Sequence, residues 1–119
     1  MRTNGPTMSF QRFRGVHVSF AFIDKNAGKN RPALVLSNEF AFDALSGYAV
    51  RAMITTAEHS EWPLDSVLQS LTAAGLPGPI KVRFKLFTLD HHLILGRLGQ
   101  LATDDAGRVQ LALASLLPE

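Results

Sequence analysis

The stretch Lys29 to Asn38, KNRPALVLSN, decides how this chain folds. Ala33, Leu34, Val35 and Leu36 run on without polar alternation, the pattern of a strand covered on both faces. Pro32 suits the first position of that strand, where a missing N–H is tolerated. Arg31 then stands just ahead of the strand, a guanidinium mounted on a rigid element at the rim of the core.

Working outward, Val16, Val18, Phe20 and Phe22 alternate with His17, Ser19 and Ala21, which predicts a strand with one buried face over Val16 to Phe22. DKNAGKN is a loop. After the decisive stretch, NEFAFDALSG has an N-cap residue in Asn38 and a Ser-Gly stop, enough for a helical turn or two. YAVRAMITT, Tyr48 to Thr56, is the next strand, with Tyr48, Val50, Ala52 and Ile54 on one side and Arg51, Met53 and Thr55 on the other. A short strand is expected around Leu64 to Leu68, and TAAGLPGP is a turn. In IKVRFKLFTLD the core side carries Ile80, Val82, Phe84 and Leu86, which throws Lys81, Arg83 and Lys85 onto one outward stripe. HHLILGRLGQL supplies one more strand, interrupted by Gly96 and Gly99. Thr103 and Asp104 are N-cap candidates for a final helix whose Val109, Ala112, Leu113 and Leu116 recur at helical spacing. About five or six short strands followed by an amphipathic helix predict a mainly β, mostly antiparallel barrel or sandwich with the helix packed on it.

A length of 119 residues, 46% of them hydrophobic, suits one core. Residues 1–12 are expected to be a flexible leader and residues 13–119 a single domain. Apolar runs reach only four residues, against the roughly 20 that cross a bilayer, so neither membrane insertion nor secretion is expected. With no cysteine, disulfides and thiolate metal sites are excluded and the cytoplasm is the expected compartment. The net charge is only +2, but the first 31 residues hold six Lys and Arg against Asp24 alone, a basic surface suited to a polyanion.

No phosphate-binding glycine loop, nucleophile elbow or metal-ligand spacing is present, and the residues call for no metal ion or cofactor. What remains is a set of cations and hydroxyls at strand ends: Arg31, Ser37, Thr55, Thr56, Lys81, Arg83 and Lys85. Guanidinium forks and hydroxyl donors together suit a phosphate. For an RNA phosphodiester, whose own 2'-OH is the nucleophile, positioning, proton transfer and charge stabilisation are sufficient for cleavage. His59 and Trp62 lie in a loop where an unpaired base can stack, although Trp62 equally suits packing at the core edge.

RPALVLSN, then MITT, a GL turn, VRFKLFTLD and LGQL, in that order, resemble the MazF/PemK family, the toxins of bacterial type II toxin-antitoxin systems. The resemblance runs from about Gly15 to Leu117. It implies an SH3-like barrel of roughly five to seven strands with a C-terminal helix. It also implies a homodimer acting as a metal-independent, sequence-selective endoribonuclease on single-stranded RNA, leaving 2',3'-cyclic phosphate and 5'-OH ends, and a cognate acidic antitoxin. By position it implies catalytic roles for Arg31 and Thr55 and, as in some members, for Arg83. Ser37, Thr56, His59, Lys81 and Lys85 are then the substrate-binding candidates. PemK-type members place an aspartate shortly after the later arginine, where this chain has Phe84 and Lys85, so the residue that takes the 2'-OH proton stays open between Lys85 and His59. The alternative is a non-catalytic barrel that binds RNA, an antitoxin or a protein target such as gyrase; the gyrase-poisoning relatives end in Trp-Gly-Ile, and this chain ends SLLPE.

Overall fold

The computed structural model describes residues 9–19, 30–58, 61–76 and 78–118. Among these, six strands make one sheet: β1 (Arg14–Ser19), β2 (Asn30–Val35), β3 (Tyr48–Thr56), β4 (Ser66–Val67), β5 (Ile80–Asp90) and β6 (Ile94–Gln100). Their order is β4-β5-β3-β2-β1-β6, and every adjacent pair is antiparallel. A π-helical turn (Glu39–Asp43) runs into α1 (Ala44–Ser46) between β2 and β3, α2 (Leu71–Ala74) precedes β5, and α3 (Thr103–Leu116) follows the sheet. The mainly β, antiparallel architecture with a C-terminal helix is therefore the one expected from the sequence.

The unalternated run does lie under cover on both sides. Leu34 and Leu36 pack with Ala52, Ile54, Val82 and Phe84 on one face, joined by Val109 of α3. Ala33 and Val35 pack with Val16, Val18, Ala49 and Leu89 on the other. The strand starts earlier than expected, at Asn30, so Arg31 lies within β2 rather than ahead of it. Pro32 is tolerated inside because β2 pairs with β3 only from Ala33 onward, leaving Pro32 with one ladder neighbour, His17 on β1.

Between β2 and β3, Asn38 caps the helical turn as expected, accepting from the amides of Phe40 and Ala41 at 3.0 and 2.8 Å. Gly47, at φ 80°, ends it in the left-handed region. This segment covers Arg51, which is fully buried. Its Nη1 donates to the carbonyls of Leu89 (2.8 Å) and Ala49 (3.3 Å). Burial lowers its pKa to about 10, against the opposing pull of Asp43 and Asp90. Burial likewise pushes the Asp43 carboxyl up despite its hydrogen bond from Ser37.

Several boundaries differ from the sequence reading, each for a local reason. The described part of β1 begins at Arg14, and the expected continuation through Phe22 lies outside the described residues. The strand expected over Leu64 to Leu68 shrinks to Ser66–Val67, because Leu64 takes φ 66° in the turn before it. TAAGLPGP starts with the end of a four-residue helix, α2, closed by Gly75 at φ 70°. His91 and His92 sit on a 3-10 turn rather than a strand, with His91 buried and His92 paired to Asp90 at 2.7 Å. Phe10 is 5% exposed and packs with Val16, Val18 and Val35, and Ser9 donates to Glu39 of the helical turn at 2.6 Å.

α3 buries Val109 and packs Ala112, Leu113 and Leu116 against the core, the face its periodicity predicts. Its cap position is Ala102, so Thr103 and Asp104 belong to the first turn. Asp105 in that turn is buried and accepts from the amides of Gln69 (3.0 Å) and Ser70 (2.9 Å) while pairing with Arg108, tying α3 to the residues ahead of α2. Burial alone would raise its carboxyl; those backbone amides and Arg108 outweigh it and hold the pKa low.

β6 runs through Gly96 and Gly99, but its ladder with β1 shifts register beside each of them, which is where the sequence placed interruptions. Gly99 is there because α2 crosses it backbone to backbone: a Cβ would collide with the carbonyl oxygen of Ala73 and come within 2.8 Å of the Gly75 nitrogen. Gly99→Ala is expected to cost about 3 kcal/mol in urea unfolding, at the upper end of overpacking effects, because backbone rather than a pliable side chain must move.

Candidate functional site

Facing residues in an antiparallel ladder share a side, so the register fixes which side chains meet. Ala33 faces Met53 in the last pair of the β2–β3 ladder, and Arg31 and Thr55 each lie two residues beyond that pair, on the same side of their strands. Thr55 in turn faces Lys81, and Met53 faces Arg83. Thr55 and Lys81 thus stand on neighbouring strands about 5 Å apart, with Arg83 one pleat along and Arg31 on the same side of β2, just past the end of its ladder with β3. They occupy one end of the face whose other end is apolar, held by Ala33, Val35, Ala49 and Leu89. Arg31 and Thr55 are both half-buried.

Lys81 and Arg83 were expected on an open stripe. Instead their side chains are 5% and 11% exposed, because the loop before β4 folds over them and delivers Asp65. The Arg83 guanidinium binds both oxygens of this carboxylate through one edge, Nε to Oδ1 at 3.2 Å and Nη2 to Oδ2 at 2.9 Å, and Lys81 Nζ lies 3.0 Å from Oδ2. The Trp62 amide donates to the same Oδ2 at 3.1 Å. Burial alone would raise the Asp65 pKa, but the hydrogen bonds from Arg83 and Lys81 prevail and hold it below the usual carboxylate range. Its own hydrogen bonds to Asp65 also raise the pKa of Arg83.

The indole of Trp62 completes the cluster. Lys85 Nζ stands 4.6 Å and the Arg83 guanidinium 5.7 Å from its centre, both within cation–π range. Lys85 remains exposed, next to a two-residue irregularity in which Phe84 and Lys85 have no facing partner on β3. Beneath the loop a cavity of about 620 Å³ is lined by Ala57, Glu61, Trp62, Asp65, Val67 and Lys81, among others.

The structure therefore brings together Arg31, Thr55, Lys81 and Arg83, with Lys85 at the margin. It does not bring in Ser37, six residues after Arg31 and beyond the far end of β2, roughly 20 Å away. That hydroxyl donates to Asp43 at 2.5 Å and accepts from the Val50 amide at 2.9 Å, a role inside the fold. Thr56 follows Thr55 and so points to the opposite face of β3, exposed at its end. His59 lies outside the described residues. Asp65 is the member sequence reasoning missed. It follows a Trp-Pro pair and stands 18 residues ahead of Arg83, so no local pattern marks it, and only the β4–β5 register turns that separation into a contact.

Residues 15–117 match the family model described as PemK-like, MazF-like toxin of type II toxin-antitoxin system. No curated protein sequence matches the chain. Among solved structures, a MazE-MazF crystal structure from Deinococcus radiodurans is similar at a TM-score of 0.70 and 20% identity, over 93% of this chain and 97% of that one. An endoribonuclease from a mycobacterial species matches at a TM-score of 0.70 and 17% identity over 93% of both chains. An endoribonuclease in complex with its cognate antitoxin, also mycobacterial, matches at a TM-score of 0.69 and 20% identity, over 91% of this chain and 92% of that one. At these identities the likeness shows the fold.

The Asp65 cluster has a defined pH window. A carboxyl whose folded pKa lies below its unfolded value stabilises the fold above about pH 4 and loses that contribution as pH falls through the folded value. Trp62 is the sole tryptophan and shares the cluster, so its fluorescence reports it. The emission is expected to stay constant from pH 8 to about pH 4 and to change below that.

Proposed function

This chain belongs to the PemK-like, MazF-like toxin family of type II toxin-antitoxin systems, and on that footing we propose that it is a metal-independent, sequence-selective endoribonuclease. It cleaves single-stranded RNA by attack of a ribose 2'-OH on the adjacent phosphate, leaving 2',3'-cyclic phosphate and 5'-OH ends. What supports this reading is the ladder that sets Thr55 opposite Lys81 and Met53 opposite Arg83, with Arg31 on the same side of the adjacent β2, two residues from Ala33. Such a row suits a phosphodiester: donors of different reach on rigid strands, facing the same way.

The roles follow from the chemistry of each group. Arg31 offers a guanidinium fork for the phosphoryl oxygens, where negative charge grows in the transition state, and Arg83, whose Nε edge is held by Asp65, adds its outer N–H donors. Thr55 is a neutral donor between two cations, suited to orienting the phosphate or the attacking ribose. Lys81 adds positive charge from beneath. Because the RNA supplies its own nucleophile, the protein contributes alignment and electrostatics, without a covalent intermediate.

The same surface favours an acidic, disordered antitoxin segment, which would neutralise the toxin by lying across these cations. That two of the similar structures are complexes with MazE or a cognate antitoxin supports this partner. Action as a homodimer in the cytoplasm completes the proposal.

Pure protein incubated with a long single-stranded RNA in EDTA is expected to give discrete cuts. Arg31→Ala should slow cutting at least about a hundredfold, the usual effect of losing a transition-state donor, and Thr55→Val should slow it at least about tenfold. Undiminished cutting by Arg31→Ala would remove Arg31 from the centre; RNA binding without cutting by the unmutated protein would favour a binding module.

A further inference from the structure

We propose that Asp65 is the positioning residue for Arg83, a carboxylate brought from the loop before β4 that locks the guanidinium fork in the orientation RNA cleavage requires. The inference rests on the ribonuclease reading above. Next to Arg83 in sequence there is no acid: Phe84 points to the core and Lys85 is a cation. The partner comes instead from across the sheet, since Ser66 faces Val82 and the register carries Asp65 to Arg83.

Three features separate this contact from an ordinary surface ion pair. The contact is bidentate and 11% exposed on both sides, so the guanidinium is fixed in plane as well as in place. The carboxylate is fully engaged, because Arg83 Nε, Arg83 Nη2, Lys81 Nζ and the Trp62 amide all converge on its two oxygens at 2.9 to 3.2 Å. The loop that delivers it accepts strain, since Leu64 immediately before Asp65 holds φ 66°, a conformation leucine rarely adopts. With its oxygens occupied, Asp65 is placed to hold cations rather than to take the 2'-OH proton.

A residue that only glues a loop and one that aims an arginine differ in what its loss does to binding. Asp65→Asn keeps the shape and an acceptor for the Trp62 amide but removes the charge and half the fork contact. Turnover should fall at least about tenfold. Affinity for an uncleavable 2'-O-methyl RNA should hold or tighten, with a steeper salt dependence, because Lys81 and Arg83 are no longer neutralised. Asp65→Glu, which retains the carboxylate, should regain part of the lost rate and serves in its place if circular dichroism shows Asp65→Asn unfolded.

The decisive arm is a double-mutant cycle. Arg83→Lys cannot donate the bidentate contact, so if Asp65 acts through Arg83 the double variant Asp65→Asn/Arg83→Lys cuts no more slowly than Arg83→Lys alone. Additive losses would overturn the proposal, as would Asp65→Asn cutting within about twofold of the unmutated protein, or a fall in turnover matched by an equal fall in RNA affinity. Failure of the unmutated protein to cut RNA is a different result, which removes the ribonuclease reading and this role with it.

Discussion

Two cations on one face of a strand, two residues apart, repel each other and resist burial unless an anion lies between them. On β5 that anion is Asp65, and much of the site depends on it. The carboxylate ties the loop of residues 61–65 to β5 and sets the Trp62 backbone against the cluster, and that loop and Lys81 together line the cavity. Arg83 is thereby held stiffly beside the row formed by Arg31 and Thr55. Without a fixed partner the Arg83 side chain would sample many rotamers at the cost of its aim.

The face that carries this row has two ends of opposite character. At one, Ala33, Val35, Ala49 and Leu89 pack together, and the helical turn after β2 seals Arg51 and Asp43 out of water. At the other, the strands emerge as Arg31, Thr55, Lys81 and Arg83. The apolar end anchors the strands, and the polar end is mounted on that anchor. Under the proposed reading, RNA and an acidic antitoxin segment would compete for the same cations, which makes inhibition a matter of occupancy rather than of changing the fold.

Strand faces were legible in the sequence because side-chain parity is strictly local. The unalternated Ala33 to Leu36, the alternation in Tyr48 to Thr56 and the helical spacing of Val109 to Leu116 all appear as read. Asn38 was legible as a cap because its side chain bonds amides two and three residues on. Parity says which residues share a face, and nothing about what covers it. For that reason Lys81 and Arg83 read as a wet stripe although a loop encloses them, and the burial of Arg51 gave no sign. The Asp65–Arg83 contact spans 18 residues, and a hydrogen-bonded register rather than any local pattern creates it. Ser37 was a similar case: its hydroxyl looked available for a substrate until the fold supplied Asp43 and the Val50 amide.

Whether this row of donors cleaves RNA through the substrate's own hydroxyl is tested most directly by removing that hydroxyl. An RNA carrying a single 2'-deoxynucleotide on the 5' side of a mapped cut, incubated with the pure protein in EDTA, should remain intact at that position while other cuts persist. The all-ribose control should yield 2',3'-cyclic phosphate and 5'-OH ends by mass spectrometry. Cutting at the deoxy position, or ends bearing 5'-phosphate, would contradict a centre that relies on the 2'-OH and point to an external nucleophile instead.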